Sequence, residues 1–132
     1  MARRSAGALA IAVVAISAAC SGRVEHALLE RFFELSRLRD TTALAPIATV
    51  VFEPFEDGIV DEFDVVRVAP EERSGSRQTE IAAKEVTVDA DVRGQDGKTV
   101  KKRLIVTMQR PVNGETTAWK ITGVAAFPQS PS

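Results

Sequence analysis

His26 is the only histidine of this chain and Cys20 its only cysteine, and tyrosine is absent. That narrows the chemistry at once. A single His and a single Cys cannot assemble a His/Cys metal site, and the carboxylates show none of the alternating spacing of a calcium loop, so no metal or cofactor is expected. His26 adjoins Glu25 on the first turn of a predicted helix, where it reads as a solvated side chain rather than a catalytic base, and no catalytic residue is assigned. Glu53, Glu56, Asp57, Asp61, Glu62 and Asp64 form an acidic run. It reads as a solvated loop and strand edge, or as a surface for a partner or a weakly held cation. Lys102 falls on the apolar parity of its predicted strand, so its long stem either snorkels to the end of the sheet or reaches into a pocket. Met108 and Trp119 read as core, or, together with Phe32, Leu35, Lys102 and Ile121, as the lining of a pocket between helix and sheet.

Composition excludes some partners and suggests an address. The formal net charge is −1, so no basic field argues for nucleic acid. A length of 132 residues fits one domain. Arg3 and Arg4 precede the small, apolar stretch Ala6–Ala19, which is too short to span a bilayer (about 20 residues) but suits the apolar region of an export signal. The stretch ends in Ile16-Ser17-Ala18-Ala19-Cys20, which resembles the lipobox of bacterial lipoproteins. There the Cys is diacylated and becomes the mature N-terminus. The resemblance implies a signal peptide over residues 1–19, a lipidated Cys20, and a tether no longer than residues 20–23. Removing residues 1–19 leaves 113, and losing Arg3 and Arg4 takes the charge from −1 to −3. Ser21, rather than Asp, follows the Cys, which in a host with two membranes implies the outer one. The expected location is the bacterial cell envelope, with the membrane itself as a partner through the lipid.

The elements that must position these residues follow from periodicity. Val24–Arg39 repeats apolar side chains at helical spacing, with Leu28, Phe32 and Leu35 central and Val24, Leu29 and Phe33 flanking. Asp40 and Thr41 can cap a short helix, Thr42–Thr49, that Pro46 ends or bends. Val50–Phe55 reads as extended, Asp57-Gly58 as a turn, Ile59–Val68 as a strand of mixed parity, and Ala69–Gln78 as an exposed loop. The break in alternation at Ala82-Ala83-Lys84 predicts a β-bulge.

Three antiparallel strands then follow: Lys84–Arg93, Thr99–Gln109 and Ala118–Phe127. A three-residue loop, Gln95-Asp96-Gly97, pairs Gly94 with Lys98 and so sets Val92 against Val100, Val88 against Leu104, and Asp89 against Arg103. A two-residue loop would shift the register by one and turn the apolar set outward. Asn113-Gly114 is the sequence type of a type I′ turn; pairing outward from it sets Met108 against Trp119, Val106 against Ile121 and Leu104 against Gly123. In this register Ile105, Val124 and Ala126 lie together on the wet face, where an envelope protein could dock.

The expected architecture is α+β: an N-terminal helix packed on a curved antiparallel sheet of about four strands, as one domain over residues 24–128 with a flexible tail at 129–132. Around Lys84–Phe127 and the helix Val24–Arg39 it resembles the nuclear-transport-factor-2-like (cystatin-like) superfamily, whose long helix lies in a bent, cone-shaped sheet. The Trp119-Lys120-Ile121 run on the last strand is similar to many members. The resemblance implies a pocket between helix and sheet. Pocket enzymes of the superfamily often use a His/Asp or Tyr/Asp set, which a chain with one His and no Tyr lacks. The expected function is therefore a non-catalytic binding or interaction module, for a small apolar ligand or a protein partner. The alternative is a pocket enzyme with an atypical active site.

Overall fold

The longest hairpin organises the structure, a computed structural model that describes residues 22–114 and 117–127. Strand β3 (Ile81–Arg93) and strand β4 (Thr99–Pro111) pair antiparallel without interruption from Ile81↔Pro111 to Arg93↔Thr99. Gly94 N–H donates to the Lys98 carbonyl at 2.9 Å and Gly97 takes a φ of +81°, the left-handed conformation that glycine adopts without penalty. The three-residue loop thus fixes the register as expected: Val92 faces Val100, Val88 faces Leu104, and Asp89 faces Arg103.

Among the described residues five strands, not four, form the sheet: β1 (Ile59–Val68), β3, β4 and β5 (Lys120–Ala126) in that order, with β2 (Glu72–Ser74) also paired to β3. β1 (Ile59–Val68) runs against Val86–Arg93. Two bulges, at Asp61 and Val66, explain its mixed parity: each inserts a residue, so Val60, Phe63, Val65 and Val68 all face inward while Val66 is thrown out and left 49% exposed. β2 (Glu72–Ser74) lies inside the segment expected to be a loop and pairs with Ala83–Ile81. Its three charged or polar residues are all exposed, so burial leaves no alternation to reveal it.

β5 (Lys120–Ala126) corrects the expected hairpin. The two-residue hairpin expected at Asn113-Gly114 does not form: the pair nearest the connection is Gln109↔Lys120, and of the two residues only Gly114 takes a positive φ. Val112 N–H donates to the Glu80 carbonyl at 3.0 Å and the Asn113 amide donates to the Arg77 carbonyl at 2.6 Å, which holds the segment alongside the start of β3. A bulge at Thr122 then shifts the pairs to Met108↔Ile121, Val106↔Val124 and Leu104↔Ala126. Trp119 lies before the strand and pairs with no residue of β4. Val124 and Ala126 join the inward face, so the expected docking patch of Ile105, Val124 and Ala126 does not form. No bulge interrupts β3 at Ala82–Lys84 either; alternation continues through Lys84, which points inward.

Helix α1 covers residues 22–38 of the described chain. Its buried line is Glu25, Leu29, Phe32, Phe33, Leu35 and Ser36; Phe32 and Leu35 of the expected centre lie on it, while Leu28 is half-buried and Val24 is 63% exposed. Leu29 and Phe32 form one core with Val86, Val88, Leu104, Val106, Met108 and Ile121. Phe33 meets Phe63 of β1 edge-on at 5.3 Å and Phe52 at 5.5 Å. The helix ends at Arg39, whose φ is +54°; Asp40 N–H donates to Leu35 and Arg39 N–H to Ser36, a Schellman closure with Arg where glycine is usual. The Arg39 guanidinium offsets that strain through an ion pair with Glu53 and a stack on Phe55.

Helix α2 (Thr41–Leu44) is capped by Asp40, whose carboxylate accepts from Ala43 N–H at 3.1 Å. It is shorter than expected because Pro46 follows so closely. Just before the segment expected to be extended, a bridge joins Ala48 to Ile121, with Thr49 N–H donating to Ile121 and Ile121 N–H to Ile47; Val50–Phe55 itself joins no strand. Among the described residues no helix is long and apolar enough to cross a membrane. The signal segment, Cys20 and the tail at 129–132 lie outside the described residues.

Candidate functional site

Lys84 is the residue around which a site can be built. Continuous pairing, Lys84↔Met108 and Val86↔Val106, directs its side chain to the face occupied by Ala82, Val86 and Val88. The ammonium pairs with Glu25 Oε1 on α1; the two side chains are 11% and 3% exposed. Glu25 lies one helical repeat before Leu29 on the buried line, which brings its carboxylate into the core face. Its second oxygen, Oε2, is buried and meets no hydrogen-bond donor among the described residues. A buried ion pair of this kind balances its desolvation cost only when the other lone pairs are satisfied as well.

Trp119 stands over this pair. Lys84 Nζ lies 4.1 Å from the indole centroid, and the Arg110 guanidinium carbon 5.1 Å from it, both within cation–π range. Arg110 comes from the inward parity of β4, opposite Ala82. Its Nη2 donates to Glu71 Oε1 at 2.7 Å, while its Nε and Nη1 meet no acceptor among the described residues. These side chains bound an open cleft of about 630 Å³, lined also by Gly22, Val65, Arg67, Val68 and Pro70. Among the described residues, three cations and one carboxylate, Glu71, line it. The cleft can therefore hold an anion against a flat, partly apolar wall.

The residues expected to line a pocket separate. Trp119 lines this cleft. Phe32, Met108 and Ile121 are fully buried in the core, and Leu35 is 8% exposed beside them. Lys102 faces Ala90 as expected, but the β5 bulge sets Ala125 against Ile105 instead. Lys102 borders a different cleft of about 370 Å³, with Val50, Phe52, Leu104 and Val124.

The acidic run divides by role. Glu53 holds Arg39, and Asp57 accepts from Glu53 N–H at 2.8 Å. Asp61, Glu62 and Asp64 border an acidic groove with Asp89 and Asp91, and no group of three or more described His, Cys, Asp or Glu side chains is arranged to hold a metal ion. His26 stacks on Phe63 at 4.5 Å and lies 3.7 Å from Glu30.

On the opposite face of the sheet, Arg103 donates two hydrogen bonds to Asp89, at 2.7 and 3.0 Å. They hold the Asp89 carboxyl below its ordinary range; desolvation opposes them, and the positive charges of Arg103 and Lys101 add smaller effects in the same direction as the hydrogen bonds.

Lys84, Glu25, Arg110 and Glu71 escape a reading of the sequence that takes a charged residue in an apolar alternation as a defect in the strand. The usable signal is the pair of charged residues, Glu25 and Lys84, each at an inward-facing position of its own element. Comparison of the chain with known protein families, with curated proteins and with solved structures finds no match.

Proposed function

We propose that this chain is an exported lipoprotein of the bacterial cell envelope, held by a diacylated Cys20, whose domain binds a ligand or partner without transforming it. We further propose that helix and sheet form a cone of the nuclear-transport-factor-2-like kind. The observation that carries the binding reading is the convergence of Lys84 and Arg110 on Trp119 beside an open cleft of about 630 Å³. That volume falls within the range of ligand sites, roughly 300–1,000 Å³. Both cations are already held, Lys84 by Glu25 and Arg110 by Glu71. Fixed charges of this kind suit recognition of an anion better than transfer of a proton.

The anchor is tested with Cys20→Ala, cell fractionation and intact mass. The wild type is expected in the membrane fraction with an acylated N-terminus, and the variant without the acyl mass. Equal solubility of the two, or an unmodified wild-type mass, would replace the anchored reading with a freely secreted one. A second reading, a pocket enzyme with an atypical active site, is favoured by Glu25 alone, whose Oε2 is buried without a partner. Turnover of a soluble substrate that is lost in Glu25→Gln would select it.

A further inference from the structure

We infer that the cleft bounded by Arg67, Lys84, Arg110 and Trp119 faces the bilayer that anchors the chain and seats the headgroup of an anionic phospholipid. The inference rests on the lipid-anchor reading of Cys20 and adds to it an orientation and a ligand.

Position is the first argument. Gly22, the first described residue, lines the cleft. Only Ser21 lies between it and Cys20, and two residue steps reach at most about 7 Å. An acylated Cys20 therefore keeps the Gly22 edge of the cleft close to the membrane surface.

Charge is the second. The mature chain is acidic, yet among the described residues three cations and one carboxylate line the cleft; with Glu25 held against Lys84 the balance is still positive, and Arg23 is exposed next to Gly22. Carboxylates gather elsewhere, where Asp61, Glu62, Asp64, Asp89 and Asp91 border their own groove. An anionic leaflet attracts the first surface and repels the second. Arg110 donates to Glu71 through Nη2 alone, so Nε–H and Nη1–H remain as separate donors to phosphate oxygens.

The third argument is the character of the side chains. Val24 and Val66 are 63% and 49% exposed; Val24 is two residues from Gly22, and Val66 lines the cleft. Indole rings favour the headgroup layer, where one end is apolar and the other wet. A free soluble anion would account for the cations but leave the exposed valines and the nearness of Cys20 without a role.

Trp119 is the only Trp of a chain without Tyr, so its emission reports on the cleft alone. The full-length lipoprotein is reconstituted into phosphatidylcholine vesicles, with and without phosphatidylglycerol, and Trp119 is quenched with acrylamide. Quencher access is expected to fall in the anionic vesicles. Access should return at about 1 M salt, where the screening length shrinks to roughly 3 Å, and in the double variant Arg67→Gln/Arg110→Gln. Lys84 is kept, because removing it strands buried Glu25, and far-UV circular dichroism verifies that the double variant is folded. Equal access in both vesicle types overturns the inference, as does protection that survives the double substitution. Protection by free glycerol phosphate or an acidic peptide, without any response to vesicles, overturns it in favour of a soluble anion. Failure of the anchor has a separate signature: the protein does not float with neutral vesicles, and adding both vesicle types to it from solution still decides the headgroup question.

Discussion

Lys84 occupies a position that the alternation of its strand assigns to an apolar side chain, and Glu25 does the same on α1. Each makes the other tolerable. Removing one partner of a buried ion pair strands a charge and costs about 3–5 kcal/mol, whereas replacing both with apolar side chains is often neutral or stabilising. Lys84→Met alone should therefore lower stability by an amount in that range, and Glu25→Leu/Lys84→Met should recover most of it, as measured by urea denaturation. Additive losses would mean that the two side chains act independently. The unpartnered Glu25 Oε2 makes recovery all the more expected, since the pair is incompletely satisfied at the start.

Asp89 permits a test by pH. Hydrogen bonds from Arg103 depress its carboxyl below the ordinary value of 3.8, so the folded state binds its proton less readily than the unfolded chain does. The contribution is complete above that value and is lost as pH falls below it through the folded-state pKa. The matching upward displacement of Arg103 lies far above any working pH. Wild type should thus exceed Asp89→Asn in urea midpoint at pH 6, with the gap closing toward pH 3. A gap that persists in acid would assign the effect to packing rather than charge.

At the scale of elements, each segment was as legible as its local chemistry was decisive. Gln95-Asp96-Gly97 permits one register that buries Val86, Val88 and Val92, and that register is the one formed. Asn113-Gly114 has equally strong turn chemistry, but hydrogen bonds to Arg77 and Glu80 hold the chain along β3 and override it. The bulges at Asp61, Val66 and Thr122 were not legible, because one inserted residue resembles noise in a short alternation. The mixed parity of β1 was the trace of the first two.

Ser36 is a further case, a polar residue on the buried line of α1 at 1% exposure. Its Oγ accepts the Phe52 N–H at 3.1 Å and so ties the helix to the chain beyond α2. Ser36→Ala leaves that buried donor unpaired, which should cost roughly 1–3 kcal/mol, read as a lower thermal midpoint. No loss would mean that water reaches Phe52 N–H.

At the scale of the whole molecule, the candidate site was the least legible part. Trp119 was visible as a large side chain that could line a pocket, but its partners come from four separate places: Glu25 on α1, Glu71 after β1, Lys84 on β3 and Arg110 on β4. No local pattern links positions so far apart in sequence; only the inward parity of Lys84 and Glu25 hints at their meeting. The cleft they form opens beside Gly22, and the proposed anchor thereby acquires a direction, with sheet and helix extending away from the bilayer and the acylated end beneath the cations. The depth of Trp119 tests that arrangement most directly. In vesicles carrying the wild-type lipoprotein, lipids brominated near the headgroup end of their chains should quench the single Trp, while lipids brominated at the chain terminus should not. If neither lipid quenches it, the cleft faces away from the membrane and the account is contradicted.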